Sequence, residues 1–223
     1  AVEAEYFYKQ TQTDIRRWYR FSKNEWPKPG RDVDGPHLVN ASNHAYLEIL
    51  PDTRSNHDEH LINGVNFSNE PGKLAILHYK VHFNNPGRYY VWVRTYSTGT
   101  EDNGLHVGID GTWPEHGRRM QWTTKRQWYW NCKQRTREKH TGVPMQIYLD
   151  IKESGAHEIM FSMREDGFEF DKWLMTSDST YRPEQDTGPE VRVAQGQLPP
   201  SFPAVAENPI YLQPDKFSLP DLV

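Results

Sequence analysis

Cysteine, long apolar runs and helical periodicity are all scarce in this sequence. Cys132 is the single cysteine, which excludes an internal disulfide framework and leaves the redox compartment open, since many bacterial secreted proteins also lack disulfides. No apolar run approaches the roughly 20 residues that a membrane-spanning helix requires, and no signal-peptide pattern precedes Ala1. We therefore expect a soluble chain that has already been processed.

The composition limits the number of domains and the class of partner. With 223 residues, of which 35% are hydrophobic and 13% aromatic, the chain can bury one sizeable core. Its formal net charge is −4, whereas nucleic-acid proteins usually carry a dominant basic surface. We expect one main domain that binds neither nucleic acid nor membranes.

Short segments of alternating apolar and polar residues dominate the chain and predict β-strands. The predicted strands are residues 45–50, 74–83, 89–96, 105–110, 145–151, 159–163 and 168–175. Many short strands separated by turn residues are typical of a β-sandwich. The sequence therefore predicts an all-β fold.

The connections between these strands also carry predictions. Asn84, Asn85, Pro86 and Gly87 form a tight-turn sequence, so residues 74–83 and 88–96 are predicted to pair as a hairpin. Residues 22–40 and 112–142 are predicted to be long loops. Loops of this length in a compact sandwich are more often functional than accidental.

The composition changes after residue 181. Eight of the sixteen prolines lie in the last forty or so residues. This bias predicts a β-sandwich domain at residues 1–181, followed at residues 182–223 by a proline-rich linker or a strap along the surface.

Basic residues are concentrated in residues 117–140. The segment contains eight lysines and arginines and a single acid, Glu138. Four of the eight tryptophans lie in or beside it: Trp113, Trp122, Trp128 and Trp130. Aromatic rings supply stacking area and guanidinium groups donate to anionic oxygens, so the segment predicts a surface for a rigid, negatively charged polymer.

Two glutamates near the start form a second chemical signal. Glu3 and Glu5 are two residues apart in a segment that is predicted to be extended, so their carboxylates point to one face and repel each other. Ca²⁺, which takes six to eight oxygen ligands, is the natural partner, and Asp171 is a candidate third carboxylate. The alternative is a pair of solvated glutamates on a frayed edge.

Six motifs then occur in order over residues 1–181. They are Glu-Ala-Glu at 3–5, Asn-Ala-Ser-Asn-His-Ala-Tyr-Leu at 40–47, Pro-Gly-Arg-Tyr-Tyr-Val-Trp-Val-Arg at 86–94, Asp-Asn-Gly-Leu-His-Val-Gly-Ile-Asp-Gly at 102–111, Gly-Ala-His-Glu-Ile at 155–159 and Phe-Glu-Phe-Asp at 168–171. Together they resemble the calcium-binding β-jelly-roll carbohydrate-binding modules of families 6 and 35. The resemblance implies a jelly roll in which Glu3, Glu5 and Asp171 hold a structural calcium.

The resemblance also implies a sugar site among the loops at one end of the sandwich. Members of these families often carry a sugar-binding asparagine two residues before the calcium aspartate, whereas this chain has Glu169. A carboxylate accepts hydrogen bonds from sugar hydroxyls but repels sulfate or uronate groups placed against it. Glu169 thus departs from the family pattern.

The predicted ligand-binding residues combine aromatic, basic and polar side chains. They are Tyr96, Asn103, Trp113, Arg118, Trp122, Arg126, Trp128, Trp130, Arg135 and Glu169. Trp92 and Trp173 are assigned to the core instead. Trp128 and Trp130 either form a stacking platform or cover the end of the sandwich, and the first alternative predicts that truncating either weakens binding without unfolding the protein.

These features favour a noncatalytic polysaccharide-binding module of a larger, secreted bacterial system that degrades acidic or sulfated marine algal galactans. On this interpretation the module is secreted, periplasmic or at the cell surface, and is fused to or associated with a catalytic domain. Two alternatives remain: a polysaccharide lyase or hydrolase, using residues such as Tyr96, His106, Glu165, Asp166 or Glu169, and a domain that binds protein or single-stranded nucleic acid.

Overall fold

The computed structural model describes residues 1–191 and contains two antiparallel β-sheets packed face to face. Short 3-10 turns occur at Ala4–Tyr6, Ser42–His44 and Glu115–Gly117. Within residues 1–191 no helix has the length and apolar character needed to cross a bilayer. The predicted all-β sandwich is confirmed.

Sheet A contains seven strands, five of them in the order β12, β6, β14, β4, β3, with β1 added to β14 and β9 added to β6. They are β1 (Val2–Glu3), β3 (Arg17–Ser22), β4 (Ala45–Leu50), β6 (Gly87–Tyr96), β9 (Tyr129–Asn131), β12 (Tyr148–Ile151) and β14 (Glu169–Thr176). Sheet A carries most of the candidate site described below.

Sheet B also contains seven strands, in the order β11, β10, β8, β7, β13, β5, β2. They are β2 (Lys9–Thr11), β5 (Ile76–Phe83), β7 (Gly104–Ile109), β8 (Met120–Gln121), β10 (Lys133–Gln134), β11 (Val143–Pro144) and β13 (Gly155–Met163). All seven predicted strands correspond to strands of the two sheets; the bounds of β4 agree, and those of the other six differ by a few residues.

The predicted hairpin between residues 74–83 and 88–96 is wrong. Strand β5 pairs with β2 and β13 in sheet B, whereas β6 pairs with β9, β12 and β14 in sheet A. The turn at residues 84–86 therefore carries the chain from one sheet to the other. A tight-turn sequence specifies a reversal of direction, and burial of both strands' apolar faces between the sheets decides the partners.

Residues 112–142 are not simply a loop, because β8, β9 and β10 lie within them. Strand β8 extends sheet B beside β7, and β9 extends sheet A beside β6. Trp122, Trp130 and Cys132 of this segment are at most 1% exposed and belong to the main core. The apolar side chains of the segment thus anchor it into the sandwich.

The main core lies between the two sheets and is rich in aromatic rings. Phe161 of β13 contacts Phe170 and Trp173 of β14, with ring centroids 5.0 and 5.2 Å apart. The Trp18 indole, in the same core, donates a hydrogen bond to the Ala75 carbonyl at 2.7 Å. Trp92 and Trp173 are 7% and 1% exposed, which confirms their assignment to the core.

A second, smaller cluster covers the outer face of sheet A. In β4, Leu47 and Ile49 belong to the main core, whereas Tyr46 and Leu50 pack with Phe21, Ala41 and Trp128. Alternate residues of a strand point to opposite faces, so Glu48 lies on the outer face with Tyr46 and Leu50. Other residues of the protein cover this face, so it is not exposed to solvent and every residue of β4 is buried.

Part of the predicted proline-rich segment packs against sheet A. The Gln185 side chain accepts from the Trp130 backbone amide at 3.0 Å, and the Asp186 carbonyl accepts from the Trp130 indole at 3.1 Å. A Cβ added at Gly188 would lie 2.6 Å from the same indole, so the chain passes directly over the ring. The remainder of the segment, residues 192–223, lies outside the described residues.

Trp130→Ala is expected to destabilise the fold, because the ring is fully buried and its removal leaves a cavity. The expected loss is about 3–5 kcal/mol in the free energy of unfolding, measured by denaturant titration. Trp26→Ala is the matched control, since Trp26 is 56% exposed and its removal should cost at most about 0.5 kcal/mol. An unchanged denaturation midpoint for Trp130→Ala would contradict this packing.

Candidate ligand-binding site

The three predicted calcium ligands lie in one buried polar cluster at an end of sheet A. Ser42 connects two of them: its backbone amide donates to Asp171 Oδ1 at 2.7 Å and its hydroxyl to Glu3 Oε1 at 2.9 Å. Asn43 donates to Glu5 Oε1 at 3.0 Å. The 3-10 turn that follows strand β1 buries Glu5 completely.

Two oxygens of this cluster suit a cation. Oε2 of Glu3 and Oε2 of Glu5 are buried and have no hydrogen-bond partner. Burial, followed by repulsion from Glu3, raises the pKa of Glu5 to about 8, and burial raises the pKa of Asp171 to about 7. Unpartnered buried carboxylate oxygens are costly, and a bound cation would satisfy them.

Basic side chains already occupy part of the cluster. Arg94 donates to Asp171 Oδ2 at 2.6 Å, and Lys172 Nζ lies 3.0 Å from Glu3 Oε1. Both oxygens of Asp171 are therefore engaged, one by Arg94 and one by Ser42. Glu3 and Glu5 fit a cation through their Oε2 atoms, whereas Asp171 is oriented mainly by Arg94.

A cleft of about 610 Å³ opens beside this cluster, at the end of β6. Its lining comes from β6, from residues 39–40 and 126–128, and from residues 185–187. The lining residues are Val39, Asn40, Arg94, Tyr96, Arg126, Gln127, Trp128, Gln185, Asp186 and Thr187. A volume of this size accommodates a small-molecule ligand or a short stretch of a polymer. Three predicted ligand-binding residues, Tyr96, Arg126 and Trp128, thus converge in one place.

The aromatic rings of the cleft are held by neighbours. His37 stacks on Tyr96 with ring centroids 3.8 Å apart, and Trp128 meets Tyr96 edge to face at 5.5 Å. The Trp128 indole donates to the His37 carbonyl at 3.1 Å, and the residue is only 6% exposed. Trp128 therefore presents a small part of its ring, and Tyr96 has one face covered.

Arg126 is the exposed cation of the cleft. Its backbone has a φ of 55° and is fixed by a hydrogen bond from its amide to the Ser97 carbonyl at 2.7 Å. Its guanidinium group forms no ion pair within the described part of the chain. Arg94, by contrast, is 2% exposed and paired with Asp171.

The structure corrects the assignment of Trp122, Trp130 and Asn103 to the ligand site. Trp122 and Trp130 are 1% and 0% exposed, so neither indole offers a face to a ligand. Asn103 is 4% exposed; its backbone amide donates to Glu165 at 2.9 Å, and its side-chain oxygen accepts from Gln121. These three side chains serve packing and internal hydrogen bonding.

Trp113, Arg118 and Arg135 are not among the residues that line the cleft. Trp113 is half-buried over Gly108, where an added Cβ would lie 2.7 Å from the ring. Arg118 donates to the Trp113 carbonyl, and Arg135 to the His140 carbonyl at 3.4 Å. The basic segment is therefore divided between different parts of the sandwich, because its short strands belong to both sheets.

Glu169 lies beside the cleft in a row of side chains across sheet A. It is opposite Tyr96 of β6 and Glu48 of β4, so all three lie on the outer face. Its Oε1 is 2.6 Å from His37 Nδ1, whereas its Oε2 has no partner. Burial, with repulsion from Glu48, raises the pKa of Glu169 well above its usual range.

Several ionisable residues of this region are not among the binding residues that the sequence predicts. The sequence predicts only a loop for the segment that contains Asp32, Asp34 and His37, and only a strand for the segment that contains Glu48. Two signals were available: aspartates two residues apart beside glycine and proline, and a glutamate at a strand position between apolar residues. Their meeting across the sheet depends on strand pairing, which single-segment patterns do not specify.

The residues proposed for a catalytic alternative are separated by the fold. His106 is fully buried between the Ser68 carbonyl and the Arg119 amide, and burial lowers its pKa to about 3. Asp166 is paired with Arg16 at 2.9 Å, and Glu165 is paired with Arg164. Of that set, only Tyr96 lines the cleft, and Glu169 lies beside it.

Comparison with known proteins gives one long sequence match. No family model matches the chain. "Uncharacterized protein P23" of Formosa agariphila is 58% identical over 222 residues, which cover 99% of this chain and 53% of that protein. The chain thus spans about half the length of this curated relative.

Two solved structures share a distant likeness of fold. A Paenibacillus xanthan lyase aligns with a TM-score of 0.44 and 14% identity, over 79% of this chain and 13% of the lyase. An exo-β-1,3-galactanase from Phanerochaete chrysosporium, solved with β-1,3-galactotriose, aligns with a TM-score of 0.39 and 11% identity, over 78% of this chain and 28% of the enzyme. At these TM-scores the likeness does not extend to function.

Glu5→Gln is expected to change how the stability of the metal-free protein depends on pH. The pKa of Glu5 is raised from 4.5 to about 8 in the folded protein. The stability that results from this pKa difference is fully present below pH 4.5 and is lost as the pH rises through 8. In chelator at pH 9, the variant should melt roughly 5 °C above the native protein, with a smaller difference at pH 5. Parallel melting curves at both pH values would contradict the assignment.

Proposed function

We propose that the chain is a noncatalytic polysaccharide-binding module that recognises an acidic or sulfated polysaccharide through the cleft. The observation that carries the proposal is the convergence of Tyr96, Arg126 and Trp128 on one opening of about 610 Å³. Aromatic rings beside side chains that donate and accept hydrogen bonds match the mixed apolar and polar surface of a sugar.

The polar lining supports recognition of hydroxyl groups. Asn40, Gln127 and Gln185 supply amide groups at different edges of the cleft, and each amide both donates and accepts. Val39, at the rim, is 81% exposed and offers apolar surface. Each contact contributes on the order of 1 kcal/mol, so binding gains strength by addition along a polymer.

The charge of Arg126 supports an anionic ligand. An exposed guanidinium group without an acidic partner in the described chain is free to form bidentate hydrogen bonds with sulfate or carboxylate groups. Marine algal galactans such as agar, porphyran or carrageenan are the substrate class that we propose, in a secreted bacterial system. The module would be fused to or associated with a catalytic domain.

We further propose that Glu3 and Glu5 hold a structural calcium, with Asp171 as the neighbouring carboxylate of the site. The unpartnered Oε2 atoms of the two glutamates support this assignment. Such an ion would neutralise the buried carboxylates and fix the N-terminal strand to sheet A. Its effect would be on stability, since the glutamates do not line the cleft.

A polysaccharide-active enzyme is the second candidate. Glu48 and Glu169 are adjacent across the sheet, both with raised pKa values, and His37 and Tyr96 lie next to them. Paired carboxyl groups with perturbed pKa values occur in glycoside hydrolases. Release of sugar by the native protein, and its loss in Glu169→Gln, would favour this candidate.

Arg126→Ala and Tyr96→Ala are expected to weaken binding to a sulfated galactan. Each removes one contact of about 1–2 kcal/mol, equivalent to a rise in Kd of roughly 5–30-fold. Affinity electrophoresis through gels that contain sulfated, uronate or neutral polysaccharide measures the change. Arg118→Ala and Arg135→Ala are matched controls from the same basic segment, and relative to a gel without polysaccharide they should be retarded as strongly as the native protein.

The opposite pattern would overturn the proposal. If Arg118→Ala or Arg135→Ala lost retardation while Arg126→Ala kept it, the ligand site would lie on another part of the sandwich. If no polymer retarded the native protein, the polysaccharide-binding function itself would fail.

Calcium is expected to raise the melting temperature of the native protein. Glu5→Gln should reduce that rise, because it removes one charged ligand, yet leave retardation by polysaccharide within about twofold. Differential scanning calorimetry in calcium and in chelator measures the first effect. Identical melting temperatures in the two buffers would contradict the calcium assignment.

A further inference from the structure

We propose that Asp32, Asp34 and Glu48 hold a divalent cation on the outer face of sheet A, with Glu169 as a neighbouring ligand. This site is separate from the one formed by Glu3 and Glu5. It lies next to the cleft, because Glu169 is directly opposite both Glu48 and Tyr96 in the sheet.

The distances among the carboxylates fit one ion. Asp32, Asp34 and Glu48 each place an oxygen within 4.8 Å of the others. Calcium binds oxygen at about 2.3–2.6 Å, so two ligands of the same ion lie no more than about 5 Å apart. Asp34 also belongs to a second group with His37 and Glu169, in which the ligand atoms again lie within 4.8 Å. The five residues therefore form one continuous cluster.

The negative charge of the cluster has little compensation. Within residues 1–191, neither aspartate nor Glu48 forms an ion pair with a lysine or arginine. Arg31, the neighbour of Asp32 in sequence, is paired with Glu59 at 2.5 Å instead. The nearby group that can become cationic is His37, and burial lowers its pKa.

Burial makes this charge costly. Glu48 and Glu169 are each 2% exposed, and Oε2 of Glu169 has no hydrogen-bond partner. An anionic group of this kind must be protonated or matched by a positive charge. Four carboxyl groups that converge from a loop and two strands favour the second solution.

The donor set favours a hard cation. Carboxylate oxygens suit calcium and magnesium, whereas zinc prefers nitrogen and sulfur ligands. Nδ1 of His37 lies 2.6 Å from Glu169, so the imidazole is engaged as a neighbour of the ligand set. Calcium tolerates irregular oxygen geometry, and it is the ion we choose as the probe.

The cation would also affect the cleft, an extension that rests on the proposed function. Without an ion, the carboxylates beside Tyr96 repel an anionic polymer. With an ion bound, the same surface becomes less negative, so the carboxylates no longer repel an anionic polymer that binds to Arg126. Calcium would then strengthen retardation by a sulfated polysaccharide.

Calorimetric titration of the full chain with calcium chloride tests the site without any polysaccharide. Asp34→Asn and Glu48→Gln should each lose one bound calcium or weaken it at least about tenfold. Glu5→Gln should retain this ion, and Asp14→Asn, a substitution at an exposed aspartate, should behave like the native protein. Calcium binding by Asp34→Asn and Glu48→Gln equal to that of the native protein would overturn the proposal.

The melting temperature in chelator shows whether a variant loses calcium because a ligand is missing or because the protein no longer folds. Because each substitution removes repulsion, both variants should melt at or above the temperature of the native protein without calcium, and gain less from its addition. Unfolding of either variant in chelator would count against the proposal. Calcium binding that depends on Asp34 and Glu48, without retardation in any gel, would leave the ion site standing and remove the polysaccharide function.

Discussion

Repulsion among carboxylates that are buried or half-buried at sheet A is the interaction on which the rest of this structure depends. Two groups are involved: one around Glu3, Glu5 and Asp171, the other around Asp32, Asp34, Glu48 and Glu169. Arg94 and Lys172 balance part of the first group. For the second, the described chain supplies little besides His37. An external cation would stabilise each group, and the two ion sites that we propose follow from this one electrostatic requirement.

The acidic cluster lies next to the cleft because other parts of the chain cover the outer face of sheet A. Segment 23–41 brings two aspartates and a histidine over a sheet whose inner face packs in the core. Tyr46, Leu50 and Trp128 fill the apolar part of the same layer. The cleft forms where this layer ends, at Tyr96 and Arg126. An aromatic edge, an exposed guanidinium group and an acidic cluster thus meet, and this is the basis for the ligand and the cation dependence that we propose.

The sequence predicted the fold better than the site, and the difference has a physical cause. Alternation within a strand is local, so the strand of residues 45–50 was predicted with its bounds. Strand pairing is not local, so the sequence of the turn at residues 84–86 predicts a hairpin, although this turn connects the two sheets. A tryptophan next to arginines is also ambiguous, since burial decides its role: Trp128 reaches the cleft, whereas Trp130 is wholly in the core.

The eight tryptophans provide the most direct test of the central claim, that the cleft beside Tyr96 and Arg126 binds an acidic polysaccharide. In a ¹H–¹⁵N spectrum each indole N–H reports on its own surroundings during titration with a sulfated galactan oligosaccharide. We expect the Trp128 signal to shift, since that residue lines the cleft, while the signals of the buried Trp122 and of Trp113, which does not line the cleft, stay in place. A shift at Trp113 with no change at Trp128 would contradict it.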